Sequence, residues 1–582
     1  MNDQQNLDNL RHSCAHLLAA AVIELWPDAK RTIGPAIENG FYYDFDFGDI
    51  KISASDFPKI EQRMRELIKT WEKFEMHQLT PEQARKEYPN NPYKHELISE
   101  FSKTDHKLSF YKSGKYWDLC RGGHIDDPSQ QLKHFKLLSV AGAYWRGNEK
   151  NKMLTRIYGT IFLTTEELNK YLMQIEEAKK RDHKKLGKEL DLFFFSDLVG
   201  PGLALWTPKG TLIRNLVDDF VWQLRKEKGY QKVMIPHITK KELYEKSGHW
   251  LKFANELFKI KSREGHLFAM KPMNCPHHTQ IFAHIPRSYR DMPQRYAETT
   301  VCYRDEQTGE LSGLSRVRSF TQDDAHVFCQ NSQVENEFNA IWDIVKSFYS
   351  AFGFQLKVRL SFHDPNNMKA YLGDEDGWKK TELTLKSIAD KRKTGYQLAI
   401  GEAAFYGPKI DFLAQDSLLR QWQVATIQLD MNMPYRFDLS CVNEKGEKER
   451  IVMIHAAIMG SIERFLSILI EHFAGAFPLW LTPVQVKMIP ISADQLTYAQ
   501  QVADLLSKNG IRVEVDRRAD RMQKKIRDAQ LEKVYYMAVV GERESASETV
   551  TVRERSGKQL EPLKLAKFVE LVQQKITQKS VD

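Results

Sequence analysis

Hydrophobic positions recur with helical spacing in the first segment of the chain. Leu10, Cys14, Leu17, Leu18, Ala21, Val22 and Leu25 fall on one stripe, so residues 7–26 are expected to form a helix. His12 and His16, four residues apart, project from one face of it. Gly34–Asp44 then reads as a turn running into an aromatic strand. Thr164-Thr-Glu-Glu167 fits a capping box, and Leu168, Leu172 and Ile175 continue it as one stripe. The basic run Lys179–Lys188 extends that pattern into a single linking helix with a solvated charged face. Residues 211–228 read as another helix, stopped at Gly229. Two alternating segments, Thr299–Tyr303 and Val317–Phe320, flank the polar run Gln307–Gly313, which predicts an antiparallel hairpin with a long loop. Val233-Met-Ile-Pro236 reads as a strand whose proline favours an edge position. Near the end, Val484–Ile491, Ile511–Asp516, Tyr535–Val540 and Thr549–Arg553 read as strands. A helix capped by Ser492 and ending near Asn509–Gly510, with others after it, makes this a small α/β domain.

A chain of 582 residues exceeds one hydrophobic core, and about three domains are expected. Hydrophobic content of 42% and charged content of 28% describe a soluble globular protein. Cysteines at 14, 120, 275, 302, 329 and 441 have no framework spacing, which favours a reducing compartment over a disulfide scaffold. The start, Met1-Asn-Asp-Gln-Gln-Asn6, is polar and has no basic-then-apolar signal. The most apolar run, Phe465–Leu481, is interrupted by Glu471 and His472, so no membrane span is expected. A net charge of +8 is compatible with a polyanionic partner but does not demand one.

Candidate chemistry concentrates in two places. Between Lys271 and Cys329 stand a cysteine and a histidine, Cys275 and His326, that could share a metal. Arg304 and Arg316 stand on either side of the predicted loop, where guanidinium forks could grip phosphate from two directions. At the other place, His12 and His16 join Asp118-Leu-Cys120-Arg-Gly-Gly-His124 in a histidine–cysteine set of four borderline ligands. That set is open to three readings: unrelated side chains, a structural zinc site, or a metal-free pocket that positions water.

Arg304-Asp-Glu306, the loop and the returning Arg316 resemble the second signature of class II aminoacyl-tRNA synthetases, and Gly460-Ser-Ile-Glu-Arg464 resembles the third. With Met273-Asn-Cys-Pro276, Thr321-Gln-Asp-Asp-Ala-His326 and Phe405-Tyr-Gly-Pro-Lys409, the pattern is similar to the threonyl branch of that class over nearly the whole chain. The resemblance implies an α+β multidomain protein. It would have an N-terminal α+β editing domain (1–163), a linker helix (164–190), an antiparallel-sheet catalytic core flanked by helices (191–481) and a C-terminal α/β anticodon-binding domain (482–582). It implies a cytoplasmic homodimer, with no membrane association, that binds ATP with Mg²⁺, L-threonine and threonine tRNA. The small ubiquitin-like domain usual at the start of bacterial members is expected to be missing here.

By the same resemblance, Cys275, His326 and His455 would hold one Zn²⁺ per subunit with an open fourth position. Arg304 would grip the α-phosphate and Glu306 the adenine, with Phe320 stacking on it; Arg316 and Arg464 would hold the far phosphate. Met273, Gln322, Asp324, Tyr406, Lys409 and Gln423 would line the threonine and adenylate pocket, and His249 would lie near the terminal ribose of the tRNA. An apolar pocket separates threonine from valine only about a hundredfold, whereas a metal engaging the hydroxyl rejects valine but admits serine. A second, hydrolytic site against serine is therefore expected, with His12, His16, Lys94, Asp118, Cys120 and His124 as its residues; the metal-free reading is the one implied. Arg518, Arg527, Glu544 and Arg553 would read the anticodon. Four positions depart from the pattern: His277 stands for a glycine, Ala456 for an arginine, Ala425 for a glycine and Ala519 for an asparagine. A synthetase-derived RNA-binding regulator with a dead site is the alternative reading.

Overall fold

A computed structural model describes residues 3–579 and 581. The chain divides into two compact units, Met1–Glu176 and Glu177–Asp582.

The first unit is built round the Asp3–Leu25 helix. Cys14, Leu17, Leu18, Ala21 and Val22 are all fully buried, as the predicted stripe requires. The helix packs against the Gly40–Asp46 strand and against the Phe57–Ile68 helix, whose Ile60 and Met64 are fully buried. Truncating one such side chain to alanine costs about 2–5 kcal/mol through lost transfer energy and the cavity left behind. Gly40–Asp46 pairs with Met153–Ile161, which pairs with Phe135–Tyr144, all antiparallel. A separate three-stranded sheet joins Glu75–Leu79, Leu108–Ser113 and Tyr116–Leu119. Asp118 and Cys120 sit at the end of its last strand.

The second unit carries an eight-stranded sheet. Its order is Gln231–Lys232, Gln294–Tyr303, Ser319–Cys329, Val452–Ala457, Gln421–Asp430, Lys409–Gln415, Leu356–Phe362 and Tyr396–Ile400. Only the two outermost pairs are parallel. Strand alternation assigns its faces. Along Ser319–Cys329, Ala325, Val327 and Cys329 enter the core beneath the Pro208–Glu227, Val334–Ser350 and Ile462–His472 helices. Gln322, Asp324 and His326 therefore face the other way, into a cavity. Beyond the sheet, Val513–Val515, Val486–Pro490, Tyr536–Val540, Thr549–Glu554 and Leu563–Lys564 form a mixed five-stranded sheet with helices Leu496–Lys508, Met522–Leu531 and Leu565–Gln578.

Three expectations need correction. The linking helix is two helices, Thr165–Arg181 and His183–Glu189, because Asp182 leaves helical geometry (φ −48°, ψ 119°) and its side chain accepts from Lys184 N–H. Val233–Pro236 is not a strand; Val233 N–H still reaches Ala297 O at 3.1 Å, but Ile235 N–H turns to the Glu298 carboxylate and Pro236 has no N–H to give, so the ladder goes no further. The segment does lie on the sheet's edge. The returning strand of the hairpin begins at Ser319, later than Val317, and runs on through His326. Among the described residues no helix is long and apolar enough to cross a membrane.

Candidate active site and histidine–cysteine clusters

The cavity above the eight-stranded sheet has a volume of about 500 Å³. Its lining includes Met273, Cys275, Arg304, Phe320, Gln322, Asp324, His326, Tyr406, Lys409, Gln423, His455 and Arg464. These residues come from six separate stretches of sequence and meet because the central strands of the sheet lie side by side. A neighbouring cavity of about 350 Å³ shares Arg304, Phe320 and Arg464 with the first and adds Glu306 and Arg316.

Strand register brings His326 directly opposite His455. Cys275 reaches them from the first position of the Cys275–Ala283 helix. Cys275 Sγ and one ring nitrogen of each histidine lie within 4.8 Å of one another, and all three residues are buried. His326 Nε2 and His455 Nδ1 are 3.1 Å apart. The far nitrogens are held: His455 Nε2 lies 2.9 Å from Asp430 Oδ2, and His326 Nδ1 lies 2.7 Å from His278 Nδ1. Burial raises the Cys275 thiol well above its ordinary range and holds His326 well below. A thiol and two neutral imidazoles, oriented from behind by a carboxylate and a third ring, are a donor set suited to a divalent ion that displaces the thiol proton.

Neither Asp430 nor His278 was found by sequence reasoning. Asp430 lies on the strand beside that of His455 and His278 on the helix of Cys275, and neither carried a motif of its own. His277, which stands for a glycine of the pattern, lies outside the donor set. Its ring points toward Tyr244 and it is not in the cluster; both ring nitrogens are buried without a partner. Ala456 lines the cavity and Ala425 packs in the core.

Around the cavity, Tyr406 stacks on His455 with ring centroids 4.8 Å apart and donates to Gln428 Oε1 at 2.8 Å. Asp411 accepts from Gln423 Nε2 at 2.7 Å and meets Lys409 Nζ at 3.3 Å. Gln322 Oε1 is buried with no partner. Asp324 accepts from Asn274 at 3.0 Å, and burial raises its carboxyl. The Arg304 guanidinium lies 5.1 Å from the Phe320 ring centroid. Arg316 donates to Glu306 Oε2 at 2.9 Å. Desolvation lowers Arg464. His249 is fully buried at the start of a short helix; Nδ1 meets Ser247 Oγ at 2.8 Å, and burial holds it at about 3. Cys302 and Cys329 are buried away from the cluster.

In the first unit a pocket of about 360 Å³ includes His12, His16, Lys94, Asp118 and Cys120 in its lining. His12, His16, Cys120 and His124 each bring one donor atom within 4.8 Å of the others. Cys120 Sγ lies 3.3 Å from His124 Nε2 and 3.6 Å from His12 Nε2. Asp118 is the hub beneath them. Its carboxylate takes Lys94 Nζ at 2.8 Å, Arg31 Nε at 3.3 Å, and the hydroxyls of Tyr43, Tyr88 and Tyr116 at 2.6, 2.6 and 3.0 Å. Although burial opposes it, the two cations hold this carboxylate far below the usual range. Desolvation keeps His16 well below its ordinary value and His124 at about 3, and raises Cys120 to about 11. Arg31 and the three tyrosines carried no motif that pattern reading could find.

In the C-terminal sheet region, Arg518 is paired with Asp516 and Asp528. Arg527 is exposed on the Met522–Leu531 helix. Glu544 accepts from Gly541 N–H and Thr551 Oγ1, and Arg553 lies on the Thr549–Glu554 strand.

Known protein families match three stretches. Residues 258–473 match the tRNA synthetase class II core domain (G, H, P, S and T), and 485–575 match an anticodon binding domain. Residues 108–158 match the threonyl and alanyl tRNA synthetase second additional domain. The threonine–tRNA ligase of Acetivibrio thermocellus is 47% identical over 580 residues, covering 99% of this chain and 90% of that protein. That of Rubrobacter xylanophilus is 47% identical over 567 residues, covering 97% and 88%. A crystal structure of the RNA binding domain of threonyl-tRNA synthetase from Cryptosporidium parvum Iowa II superposes with a TM-score of 0.65 at 38% identity, covering 68% of this chain and 98% of that one. With the class II core, the anticodon domain and the additional domain in one order, and near-half identity over almost its full length, this chain belongs to the threonine–tRNA ligase family of class II aminoacyl-tRNA synthetases.

Proposed function

We propose that the chain joins L-threonine to threonine tRNA at the expense of ATP, that Cys275, His326 and His455 hold a zinc ion at the floor of the synthetic cavity, and that the histidine–cysteine pocket of the first unit hydrolyses seryl-tRNA. Convergence of a thiol and two imidazoles in the same cavity as Arg304, Lys409 and Arg464 carries this reading. Bound there, zinc supplies a Lewis acid that accepts an amino group and a β-hydroxyl, which valine cannot offer. Gln322, with its orphaned Oε1, and Asp324 supply acceptors beside that position. The threonine carboxylate attacks the α-phosphorus of Mg²⁺–ATP and the bond to pyrophosphate breaks. Arg304 and Lys409 meet the charge that develops, while Arg316 and Arg464 hold the departing end, with no side-chain nucleophile required. Glu306 and Phe320 would seat the adenine, Met273, Tyr406 and Gln423 would shape the pocket wall, and His249 would support the terminal ribose.

In the first unit, a neutral thiol and neutral imidazoles are poor nucleophiles but good partners for an oriented water, which would attack the ester carbonyl and release the ribose oxygen. Lys94 supplies the nearby positive charge. Replacing Cys120 with alanine is expected to slow seryl-tRNA hydrolysis about a hundredfold while threonine-dependent pyrophosphate exchange stays unchanged. With His124 near 3 and Cys120 near 11, hydrolysis should show no inflection from these groups between about pH 6.5 and 9. A histidine-type inflection near pH 6.5 would contradict the assignment.

Exposed apolar residues Met234 and Ile238 at the sheet edge support a homodimer, checked by sedimentation equilibrium. Six buried free cysteines support a reducing, cytoplasmic setting. Arg518, Arg527, Glu544 and Arg553 are proposed as anticodon contacts, and the domain boundaries expected from sequence are proposed with them. The deciding experiment is threonine-dependent exchange of pyrophosphate into ATP. Exchange at background would favour the regulatory alternative, and a stronger signal with serine, proline or alanine would assign another amino acid.

A further inference from the structure

The loop that carries Arg316 is held by a histidine to which the proposed chemistry gives no role. His183 opens the His183–Glu189 helix and is buried. Its Nε2 lies 3.1 Å from the backbone nitrogen of Leu314, two residues before Arg316. An amide N–H can only donate, so Nε2 carries the lone pair and Nδ1 the proton. Nδ1 in turn donates to Glu471 Oε1 at 2.6 Å, and the same oxygen accepts from the His183 backbone N–H at 3.2 Å. The fit against the loop is close. Gly313 has φ +51°, and a Cβ there would stand 2.2 Å from His183 Nε2.

Glu471 extends the contact to the other phosphate arginine. Its second oxygen accepts from Arg420, whose Nε donates to Asp416 Oδ2 at 2.7 Å. Trp422 Nε1 donates to that same Asp416 oxygen at 2.9 Å. The Trp422 ring carries the guanidinium of Arg420 at 5.2 Å and that of Arg464 at 5.7 Å. One imidazole is thus joined through hydrogen bonds to the loop of Arg316, and through a carboxylate, an arginine and an indole to Arg464.

We infer that His183 is a positioning residue for ATP, setting through Leu314 and Glu471 the two arginines that hold the far phosphate. The inference rests on the ATP site proposed above. A buried amide that loses its acceptor is costly, so the Leu314 turn keeps its place only while an acceptor stands at Nε2.

The test uses the full-length enzyme and pyrophosphate exchange, with KM measured separately for ATP and threonine. His183→Leu is expected to raise KM for ATP about tenfold. KM for threonine, zinc content and seryl-tRNA hydrolysis should stay at wild-type values. His183→Gln places an amide oxygen near the Nε2 position and should stay within about twofold of wild type. His183→Asn restores only the Nδ1-side donor and should behave like His183→Leu. Should the His183 variants fail to fold, Gly313→Ala presses on the same contact from the loop side and is expected to raise KM for ATP alone. Arg316→Ala is the reference. If it raises KM for ATP while folded His183→Leu or Gly313→Ala does not, or raises both KM values equally, the inference is overturned. If Arg316→Ala leaves KM for ATP unchanged, the ATP-site reading fails and takes this inference with it.

Discussion

Replacing His326 with alanine should strip zinc from the purified enzyme and lower threonine-dependent pyrophosphate exchange roughly a thousandfold. The reason is geometric. His326 stands opposite His455 in strand register, its Nε2 3.8 Å from Asp324 Oδ1, with donor atoms of Cys275 and His455 within 4.8 Å. Behind it His278 points at its far nitrogen, while His277 faces Tyr244. Graded controls sharpen the test. Asp430→Asn and His278→Gln leave all three donors in place but loosen their orientation, so zinc affinity should fall about 10–100-fold rather than vanish. Metal analysis with an assay of exchange at saturating threonine separates the two classes. Full zinc occupancy in His326→Ala would remove His326 from the ligand set.

The second large effect is expected at Asp118. Asp118→Asn would leave Lys94 and Arg31 as buried cations without their carboxylate, at a cost of about 3–5 kcal/mol to the first unit. The amide would also present donor hydrogens where three tyrosine hydroxyls already donate. Seryl-tRNA hydrolysis should be lost, and thermal unfolding of the first unit should move to lower temperature, while pyrophosphate exchange persists. The same pocket predicts acid sensitivity. His16 and His124 are neutral in the fold and would take up protons on unfolding, so stability should fall as pH drops from about 6.5 toward 3. Asp118 acts in the same direction: its depressed folded value gives stability above the ordinary carboxylate range, near pH 4, that is lost progressively below it. Melting curves recorded by circular dichroism between about pH 4 and 8 check this. A melting temperature for the first unit that is constant over that range would contradict the buried neutral histidines.

Much of the architecture could be read from local pattern. Apolar spacing located the Asp3–Leu25 helix, and the polar break at Gln307–Gly313 located a hairpin loop. Gln322, Asp324 and His326 were named by the family motif, and the alternation of the Ser319–Cys329 strand then put them on one face. Two of the misreadings share a cause: a side chain bonding to backbone. The Asp182 carboxylate, capping Lys184, divides one predicted helix into two. The Glu298 carboxylate takes Ile235 N–H, so the edge pairing does not continue through Pro236. Periodicity is blind to such bonds because it counts hydrophobic faces, not acceptors.

The chain's own order of residues carried the motifs that resemble its family, and through that resemblance it named Cys275, His326 and His455 as candidates, although their separation in sequence would not pair them. Only the tertiary structure decided that His278, not His277, stands behind His326, that Asp430 holds His455, and that Asp118 gathers two cations and three hydroxyls. Those assignments depend on which atoms from distant segments meet in a medium of low dielectric. There, an unpaired polar group is expensive, and so each is given a partner that no local pattern names.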